Sequence, residues 1–175
     1  MTDIKTLLEA NIRDVPDFPK PGILFKDITP VLQNPECLKA IIDHFAGVYS
    51  DAGIERIVGV ESRGFIFGTA LAYAMGLGMT LVRKPGKLPW KTASVTYDLE
   101  YGTDELQIHT DAVEKGQRVL VVDDLLATGG TAEATVKLVE GLGAEVVGCA
   151  FVIELGFLEG AARLAPRPVV SILTY

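Results

Sequence analysis

The sequence predicts an α/β fold, in which a mostly parallel central sheet is flanked by helices. Short runs rich in Val, Ile and Leu alternate with stretches of helical spacing, as where RIVGVE is followed by GFIFGTALAYAM. The apolar runs are continuous, which is typical of parallel strands buried on both faces. The 175 residues, 49% of them hydrophobic and 22% charged, suit one compact domain over residues 1–175.

Three elements are predicted in the first part of the chain. Ile and Leu recur at helical spacing over residues 3–12 and predict a helix. The three prolines of DVPDFPKPG end that helix and predict a structured loop. The segment NPECLKAIIDHFAGVYSDAG begins with Asn-Pro, closes near a glycine and predicts a second helix.

The remaining elements alternate between strand and helix. RIVGVE and MTLVRK predict strands on either side of a helix from Gly64 to Met75. The apolar alternation in VTYDLEYGTDELQIHT predicts two strands around its centre. A strand, a helix, a strand, a short helix and a last strand then follow, at RVLVV, TAEATVKLVEGLG, EVVGCAFVI, residues 156–164 and PVVSIL.

The charge of the chain excludes some classes of partner. The formal net charge is -7, so the long-range field repels nucleic acids and anionic membranes, and any phosphate site must be a local arrangement. The opening MTDIKTLLEA has no basic start followed by a long apolar run, and no segment approaches the roughly 18 apolar residues of a membrane span. We therefore expect a cytoplasmic protein that binds neither nucleic acid nor membrane.

The cysteines and histidines carry no sign of a metal site. Cys37 and Cys149 lack CxxC spacing and are expected to be buried free thiols in a helix and a strand. His44 and His109 lie far apart in the chain without ligand spacing around either, so both are interpreted as structural or exposed. No structural metal is predicted.

Two adjacent carboxylates, Asp123 and Asp124, follow the apolar run RVLVV, and a loop of small residues follows them. Ligands bind beyond the carboxyl ends of parallel strands, and a carboxylate taken out of water costs several kcal/mol unless something binds it. Carboxylates suit vicinal sugar hydroxyls as acceptors, whereas the start of the next helix suits a phosphate. A ribose 5-phosphate meets both needs. An acidic turn before a Thr-capped helix would explain either half alone.

The candidate ligands of this ribose phosphate are the two carboxylates and the small or hydroxylated residues of the loop. They are Asp123, Asp124, Ala127, Thr128, Gly129, Gly130 and Thr131.

The segment VLVVDDLLATGGT resembles the phosphoribosyl pyrophosphate motif of type I phosphoribosyltransferases, and its ending is similar to that of the adenine-specific members. Four further segments are similar to the same family and occur in its order: PDFPKPGILFKDITPVL, ESRGFIFG, LVRKPGKLP and YDLEYGTDEL. The resemblance spans most of residues 12–140. It implies transfer of a phosphoribosyl group from phosphoribosyl pyrophosphate to adenine, giving AMP and pyrophosphate in purine salvage. It also implies a homodimer and a flexible hood loop over the active site.

The resemblance implies roles in binding pyrophosphate. Arg83 is the strongest candidate, because a guanidinium can grip two phosphate oxygens at once. Mg²⁺ is expected to be held mainly by substrate oxygens and water. The implied pyrophosphate-binding residues are Ser62, Arg63, Gly64, Arg83, Lys84 and Lys87.

The resemblance also implies how the base is held and deprotonated. Phe25 is expected to stack on adenine, while backbone groups near Leu24 and Lys26 read the edge of the ring. Glu100 is the candidate catalytic acid–base residue, and Tyr101 lies beside it in the implied lid. Both assignments depend on the family match.

Two alternatives stay open from the sequence. A phosphoribosyltransferase for another base would share the ribose-phosphate loop. A non-catalytic regulator that senses phosphoribosyl pyrophosphate and binds nucleic acid would need a basic face, but the chain has 16 basic against 23 acidic residues.

Overall fold

The computed structural model describes residues 3–98 and 102–175, and its chain divides into two compact units, Met1–His44 and Phe45–Tyr175. The first unit holds an antiparallel pair of short strands, in which Arg13 lies opposite Asp27. Its elements are α1 (Ile4–Glu9), β1 (Arg13–Pro16), β2 (Leu24–Asp27), α2 (Thr29–Gln33) and most of α3 (Pro35–Val48).

The prediction of a loop for the proline-rich segment is wrong at its start. Residues 13–16 form β1 and pair with β2, with Pro16 as the last residue of β1. Proline is tolerated there because a two-stranded ribbon has free edges, where a missing N–H interrupts no ladder. The predicted helices over 3–12 and from the Asn-Pro segment are confirmed as α1 and α3.

The second unit is built on a five-stranded parallel sheet with strand order β4-β3-β7-β8-β9, and β5 and β6 form a separate antiparallel hairpin. The predicted parallel sheet flanked by helices is thereby confirmed. The short helix near 156–164 is two 3₁₀ turns, Gly156–Leu158 and Gly160–Leu164. The other elements are β3 (Arg56–Val60), α4 (Gly64–Met75), β4 (Gly78–Val82), β5 (Thr92–Asp98), β6 (Thr103–His109), β7 (Arg118–Leu126), α5 (Gly130–Gly141), β8 (Glu145–Glu154) and β9 (Val169–Thr174).

The core of the second unit explains why the strand runs are continuously apolar. Residues 119–122 of the central strand β7 are wholly inaccessible to solvent, since helices and the hairpin cover the sheet. Leu106 and Ile108 of β6 belong to the same buried cluster as α5 and the sheet. The core therefore holds β7 and the start of α5 in a fixed relation, which matters for the loop between them.

Strand β7 is longer than the sequence predicts. It runs through Asp123 and Asp124 to Leu126, because β8 continues alongside it, with Asp123 opposite Phe151 and Leu126 opposite Glu154. The carboxylates therefore lie within the last part of a paired strand and are positioned by its ladder. Their side chains alternate, as in any strand.

The remaining sequence expectations concern cysteines and membranes. Cys37 and Cys149 are buried free thiols, as predicted, and burial raises the pKa of Cys149 to about 12. No helix in the described ranges is long and apolar enough to cross a membrane.

Candidate active site

A cavity of about 270 Å³ lies where β3 and β7 reach their carboxyl ends. Its walls come from two separate parts of the chain, residues 61–63 and residues 123–132. Topology brings them together, because β3 and β7 are parallel neighbours in the sheet. The predicted site residues that line the cavity are Ser62, Arg63, Asp123, Asp124, Ala127, Thr128, Gly129, Gly130 and Thr131.

The two adjacent carboxylates in this cavity have different partners. Asp124 is buried, and its Oδ2 atom lies 2.5 Å from Nε of Arg63. Asp123 accepts the backbone N–H of Asp124 at 2.9 Å. Burial, reinforced by the charge of Asp124, raises the pKa of Asp123 well above its usual range. The cavity therefore holds one carboxylate with a cationic partner and one that favours its protonated form until a donor or cation reaches it.

Gly64 has a packing reason to be a glycine. A Cβ atom at this position would lie 2.8 Å from Oδ1 of Asp123 and 2.8 Å from the carbonyl oxygen of Val122. Only glycine lets the first turn of α4 approach β7 this closely. The residue does not line the cavity, but the approach sets Arg63 beside Asp124. Earlier in the same segment, the peptide bond between Glu61 and Ser62 is cis.

The loop of residues 127–129 between β7 and α5, called the phosphate loop after its predicted ligand, is supported by a segment that sequence reasoning missed. Gly129 has a φ of +84°, and a Cβ there would lie 2.5 Å from the carbonyl oxygen of Gly160. In the reverse direction, a Cβ on Gly160 would collide with the carbonyl oxygen of Ala127. The 3₁₀ turn that begins at Gly160 therefore packs directly against this loop, and the first residues of α5, Gly130 to Ala132, line the cavity. The glycine in LEGAAR was the available signal.

Glu61 is a second residue that sequence reasoning missed. Its carboxylate accepts hydrogen bonds from Nζ of Lys87, from Nε of Arg83 at 3.2 Å and from the backbone N–H of Lys84 at 2.9 Å. Burial alone would raise the pKa of Glu61, but these bonds, led by that from Lys87, outweigh burial and lower it. An acid directly after the strand RIVGV, before Ser62, was the available signal.

The basic cluster Arg83, Lys84 and Lys87 does not line the cavity itself. Glu61, which does line it, joins all three residues to it. Arg83 is further held by a bond from Nη1 to the carbonyl oxygen of Lys87 at 3.3 Å and by the ring of Phe65, 5.9 Å from its guanidinium carbon. The cations are thus held in place at the rim by protein contacts.

The hairpin β5–β6 reaches the site through polar side chains. The hydroxyl of Tyr97 lies 3.2 Å from Oγ1 of Thr131 and 3.4 Å from Oδ2 of Asp104. Lys84 donates to the same Asp104 oxygen at 2.5 Å. Neither Tyr97 nor Asp104 was predicted as a site residue, because nothing in their sequence spacing indicates that β5 packs against α5.

The predicted adenine-binding residues lie on β2, in the first unit. The rings of Phe25 and Phe18 form a T-shaped pair with centroids 5.2 Å apart, and Lys26 donates to Asp14 at 2.6 Å. Leu24 is exposed. Their contacts with a base stay predictions.

Two further predictions concern the catalytic acid and the metal. Glu100 and Tyr101 lie outside the described residues. Within residues 3–98 and 102–175, no group of three or more His, Cys, Asp or Glu side chains is arranged to hold a metal ion.

Comparison with known proteins assigns this chain and its fold to a family. The phosphoribosyl transferase domain model matches residues 27–170. An adenine phosphoribosyltransferase of Aeromonas salmonicida (strain A449) is 60% identical over 168 residues, which cover 95% of this chain and 93% of that protein. The chain belongs to the adenine phosphoribosyltransferase family. Adenine is thereby favoured over the other bases that the sequence had left open.

Solved structures agree with this assignment. The crystal structure of the adenine phosphoribosyltransferase from Thermoanaerobacter pseudethanolicus ATCC 33223 superimposes with a TM-score of 0.95 at 49% identity, covering 98% of this chain and 99% of that chain. The enzyme from Saccharomyces cerevisiae, complexed with an imino-altritol bisphosphate and adenine, gives a TM-score of 0.92 at 40% identity, covering 98% and 99%. This chain is thus a pentosyltransferase of purine salvage that acts on adenine and phosphoribosyl pyrophosphate.

Proposed function

We propose that the cavity between residues 61–63 and 123–132 binds phosphoribosyl pyrophosphate and is where the phosphoribosyl group passes to adenine. The observation that carries this proposal is the meeting of the two predicted motifs around one cavity. In the reaction, the bond between the anomeric carbon and a pyrophosphate oxygen breaks, and a bond to a ring nitrogen of adenine forms. The proton on that nitrogen leaves. The protein must therefore hold the ribose, the leaving group and the base in line.

In this proposal, the ribose 5-phosphate is held at the start of α5. The N–H groups of residues 127–131 and the hydroxyls of Thr128 and Thr131 donate to phosphate oxygens. Asp123 and Asp124 accept the ribose hydroxyls. The raised pKa of Asp123 supports this role, because hydrogen bonds from ribose hydroxyls would offset the burial that raises it.

Pyrophosphate is bound by Ser62, Arg63 and the basic residues joined to Glu61. Arg63 pairs with Asp124 in the protein without substrate. Binding of phosphoribosyl pyrophosphate therefore replaces that ion pair with contacts from Arg63 to phosphate and from Asp124 to ribose. Arg83, Lys84 and Lys87 add positive charge that stabilises the leaving group as negative charge builds on it.

We propose that Mg²⁺ enters with phosphoribosyl pyrophosphate and is held mainly by substrate oxygens and water. The residues present fit this, because the carboxylate oxygens of Asp123 and Asp124 line the cavity and would supply hard ligands. Mg²⁺ in phosphate sites usually takes one or two carboxylates besides substrate and water. When bound, the ion neutralises charge on the leaving pyrophosphate.

Adenine recognition is assigned to Leu24, Phe25 and Lys26, and proton removal from the base to Glu100. Both assignments rest on the family resemblance, and the yeast relative crystallised with adenine supports adenine as the base. Replacing Glu100 with Gln preserves shape and removes the basic site, so turnover should fall strongly. Unchanged turnover would refute proton transfer by Glu100.

The test of the proposed function is pyrophosphate release from phosphoribosyl pyrophosphate and Mg²⁺, with adenine, guanine, hypoxanthine, xanthine, uracil and orotate supplied separately. Release is expected with adenine. The variant Asp124→Asn should lower it, because it removes the charge that pairs with Arg63 and one of the two acceptor oxygens. The variant Asp111→Asn, at an exposed turn, is the matched control. Pyrophosphate release only with a base other than adenine would contradict the proposal. Unchanged release by the Asp124→Asn variant would contradict it as well.

We further propose that residues 1–175 act as one catalytic domain and assemble as a homodimer. The matched family region, residues 27–170, runs through both compact units, which supports the first statement. The family resemblance supports the second.

A further inference from the structure

A chain of polar side chains links the hairpin β5–β6 to the phosphate loop. It consists of Lys84, Asp104, Tyr97 and Thr131, and we refer to it as the polar chain. Lys84 Nζ lies 2.5 Å from Asp104 Oδ2, the hydroxyl of Tyr97 lies 3.4 Å from the same oxygen, and Thr131 Oγ1 lies 3.2 Å from the Tyr97 hydroxyl. Its last member is a residue to which the proposed function gives a contact with the 5-phosphate.

Each hydroxyl of the polar chain has one proton to donate. In the substrate-free protein, Tyr97 can donate to the carboxylate of Asp104, and Thr131 then donates to the oxygen of Tyr97. A phosphate at the start of α5 is an acceptor only, so it requires the Thr131 proton to turn toward it. The lone pairs of Thr131 Oγ1 then face Tyr97 and can accept a hydrogen bond from the Tyr97 O–H.

We propose that Tyr97 is a positioning residue for the ribose 5-phosphate. When phosphoribosyl pyrophosphate is bound, the Tyr97 O–H donates to Thr131 Oγ1 and so directs the Thr131 O–H to a phosphate oxygen. The inference rests on the proposed contact between Thr131 and the phosphate. It requires only rotation of two hydroxyl groups, since the oxygens already lie within hydrogen-bond distance.

Asp104 can lose its hydrogen bond from the Tyr97 hydroxyl because two other groups donate to its carboxylate. Lys84 donates to its Oδ2 at 2.5 Å, and the backbone N–H of Glu105 donates to its Oδ1 at 2.8 Å. The Lys84 bond, opposed by burial, lowers the pKa of Asp104, which therefore stays ionised and bonded when Tyr97 turns away. Tyr97 in turn stays a donor at neutral pH, because burial raises the pKa of its hydroxyl.

The ring of Tyr97 is held independently of its hydroxyl. It packs against the buried cluster formed by the sheet, α5 and the hairpin. Removing the oxygen should therefore leave the ring and the strand β5 in place, which makes Tyr97→Phe a specific test. Tyr73→Phe is the matched control, because Tyr73 is 89% exposed on α4 and lies outside the polar chain.

The experiment measures dissociation constants of ribose 5-phosphate and of pyrophosphate, separately, together with KM for both substrates. Tyr97→Phe should weaken ribose 5-phosphate binding about 5- to 10-fold, the loss expected for one hydrogen bond. Pyrophosphate binding and the KM for adenine should not change, and Tyr73→Phe should behave as the parent enzyme. A purely structural role would weaken both ligands together.

A double-mutant cycle with Thr131→Val separates the two layers of the inference. Thr131→Val should weaken ribose 5-phosphate binding, and adding Tyr97→Phe should weaken it no further, because the two hydroxyls act as one unit. Thr131→Ser keeps the hydroxyl, so adding Tyr97→Phe to this variant should again weaken ribose 5-phosphate binding. If Thr131→Val binds normally, the proposed phosphate contact fails. If it binds weakly while Tyr97→Phe binds normally, or if the two losses add, the role of Tyr97 is overturned.

Discussion

At the scale of single residues, the site depends on how buried charges are paired. Asp124 has Arg63 as its partner, Glu61 has three donors from the basic cluster, and Asp123 has a backbone N–H. Removing a carboxylate from water costs several kcal/mol unless partners replace the water. The different partners of these acids therefore lead to different expectations for their replacement.

Replacing Asp123 with Asn is expected to stabilise the protein at neutral pH. The pKa of Asp123 is raised above the ordinary value of 3.8 in the folded state, so the folded chain binds this proton more tightly than the unfolded chain. Its contribution to stability is therefore present below pH 3.8 and lost as the pH rises through the raised pKa. Asn cannot ionise, so the variant avoids the loss of stability that ionisation of Asp123 causes at neutral pH. Tm at pH 7 should rise by about 2–4 °C, equivalent to about 1 kcal/mol.

The measurement is thermal unfolding of the parent and the variant at pH 7 and at about pH 3. The difference in Tm should disappear at the lower pH, because Asp123 is then protonated in both states. Asp111→Asn, at an exposed position, should show no such difference at either pH. A lower Tm for Asp123→Asn at pH 7 would contradict the expectation.

Replacing Arg63 with Met is expected to destabilise the protein. Asp124, whose side chain is 8% exposed, would keep its charge in a buried position without the guanidinium. Because Arg63 is itself 46% exposed, solvent weakens the pair, and we expect a loss of about 1–2 kcal/mol. The double variant Arg63→Met with Asp124→Asn should recover most of this loss in urea unfolding. Additive losses would show that the pair contributes nothing.

At the scale of elements, the phosphate loop is shaped by its contact with a distant 3₁₀ turn. Gly129 and Gly160 pack backbone to backbone, and neither leaves space for a Cβ. The N–H groups at the start of α5 can donate to the proposed 5-phosphate only if this loop keeps its path from β7. The loop is therefore positioned by the turn after β8 as well as by its own small residues.

Replacing Gly160 with Ala is expected to weaken binding of phosphoribosyl pyrophosphate. The new Cβ would collide with the carbonyl of Ala127, so the loop must shift, at a cost of about 1–3 kcal/mol. The KM for phosphoribosyl pyrophosphate should rise by about tenfold or more. Gly141→Ala is the matched control, because nothing lies within 4 Å of a Cβ at the end of α5. Equal kinetics for the two variants would contradict the support assigned to the turn.

At the scale of the whole molecule, an acidic chain must bind a highly charged anion. The net charge of -7 repels phosphoribosyl pyrophosphate at long range, so binding depends on cations concentrated at one place. Glu61 and Asp124 hold Arg63, Arg83 and Lys87 at the cavity and its rim. A cytoplasmic location, expected from the sequence, stays a prediction.

The chain is expected to form a homodimer in solution. Sedimentation at micromolar concentration should give a species of twice the monomer mass of 18.8 kDa. This expectation rests on the resemblance to the family, which implies a homodimer. A single species at the monomer mass would contradict the proposed assembly.

The sequence by itself determined the class of fold, the order of most elements and the motifs that carry the chemistry. Helix α4 has the predicted bounds, and the strand runs after residue 56 all form strands. These features are local, since periodicity and turn residues act within a few positions of the chain. The strands β1 and β2 were missed as a pair because their proline-rich connection carries turn signals that outweigh the short apolar runs.

Only the tertiary structure decided which side chains share the site. Glu61 meets Lys87, Tyr97 meets Thr131, and Gly160 packs behind Gly129. The extra length of β7 likewise depends on β8 alongside it. Each contact joins residues far apart in the chain, so it follows from strand order and packing, which no local spacing encodes.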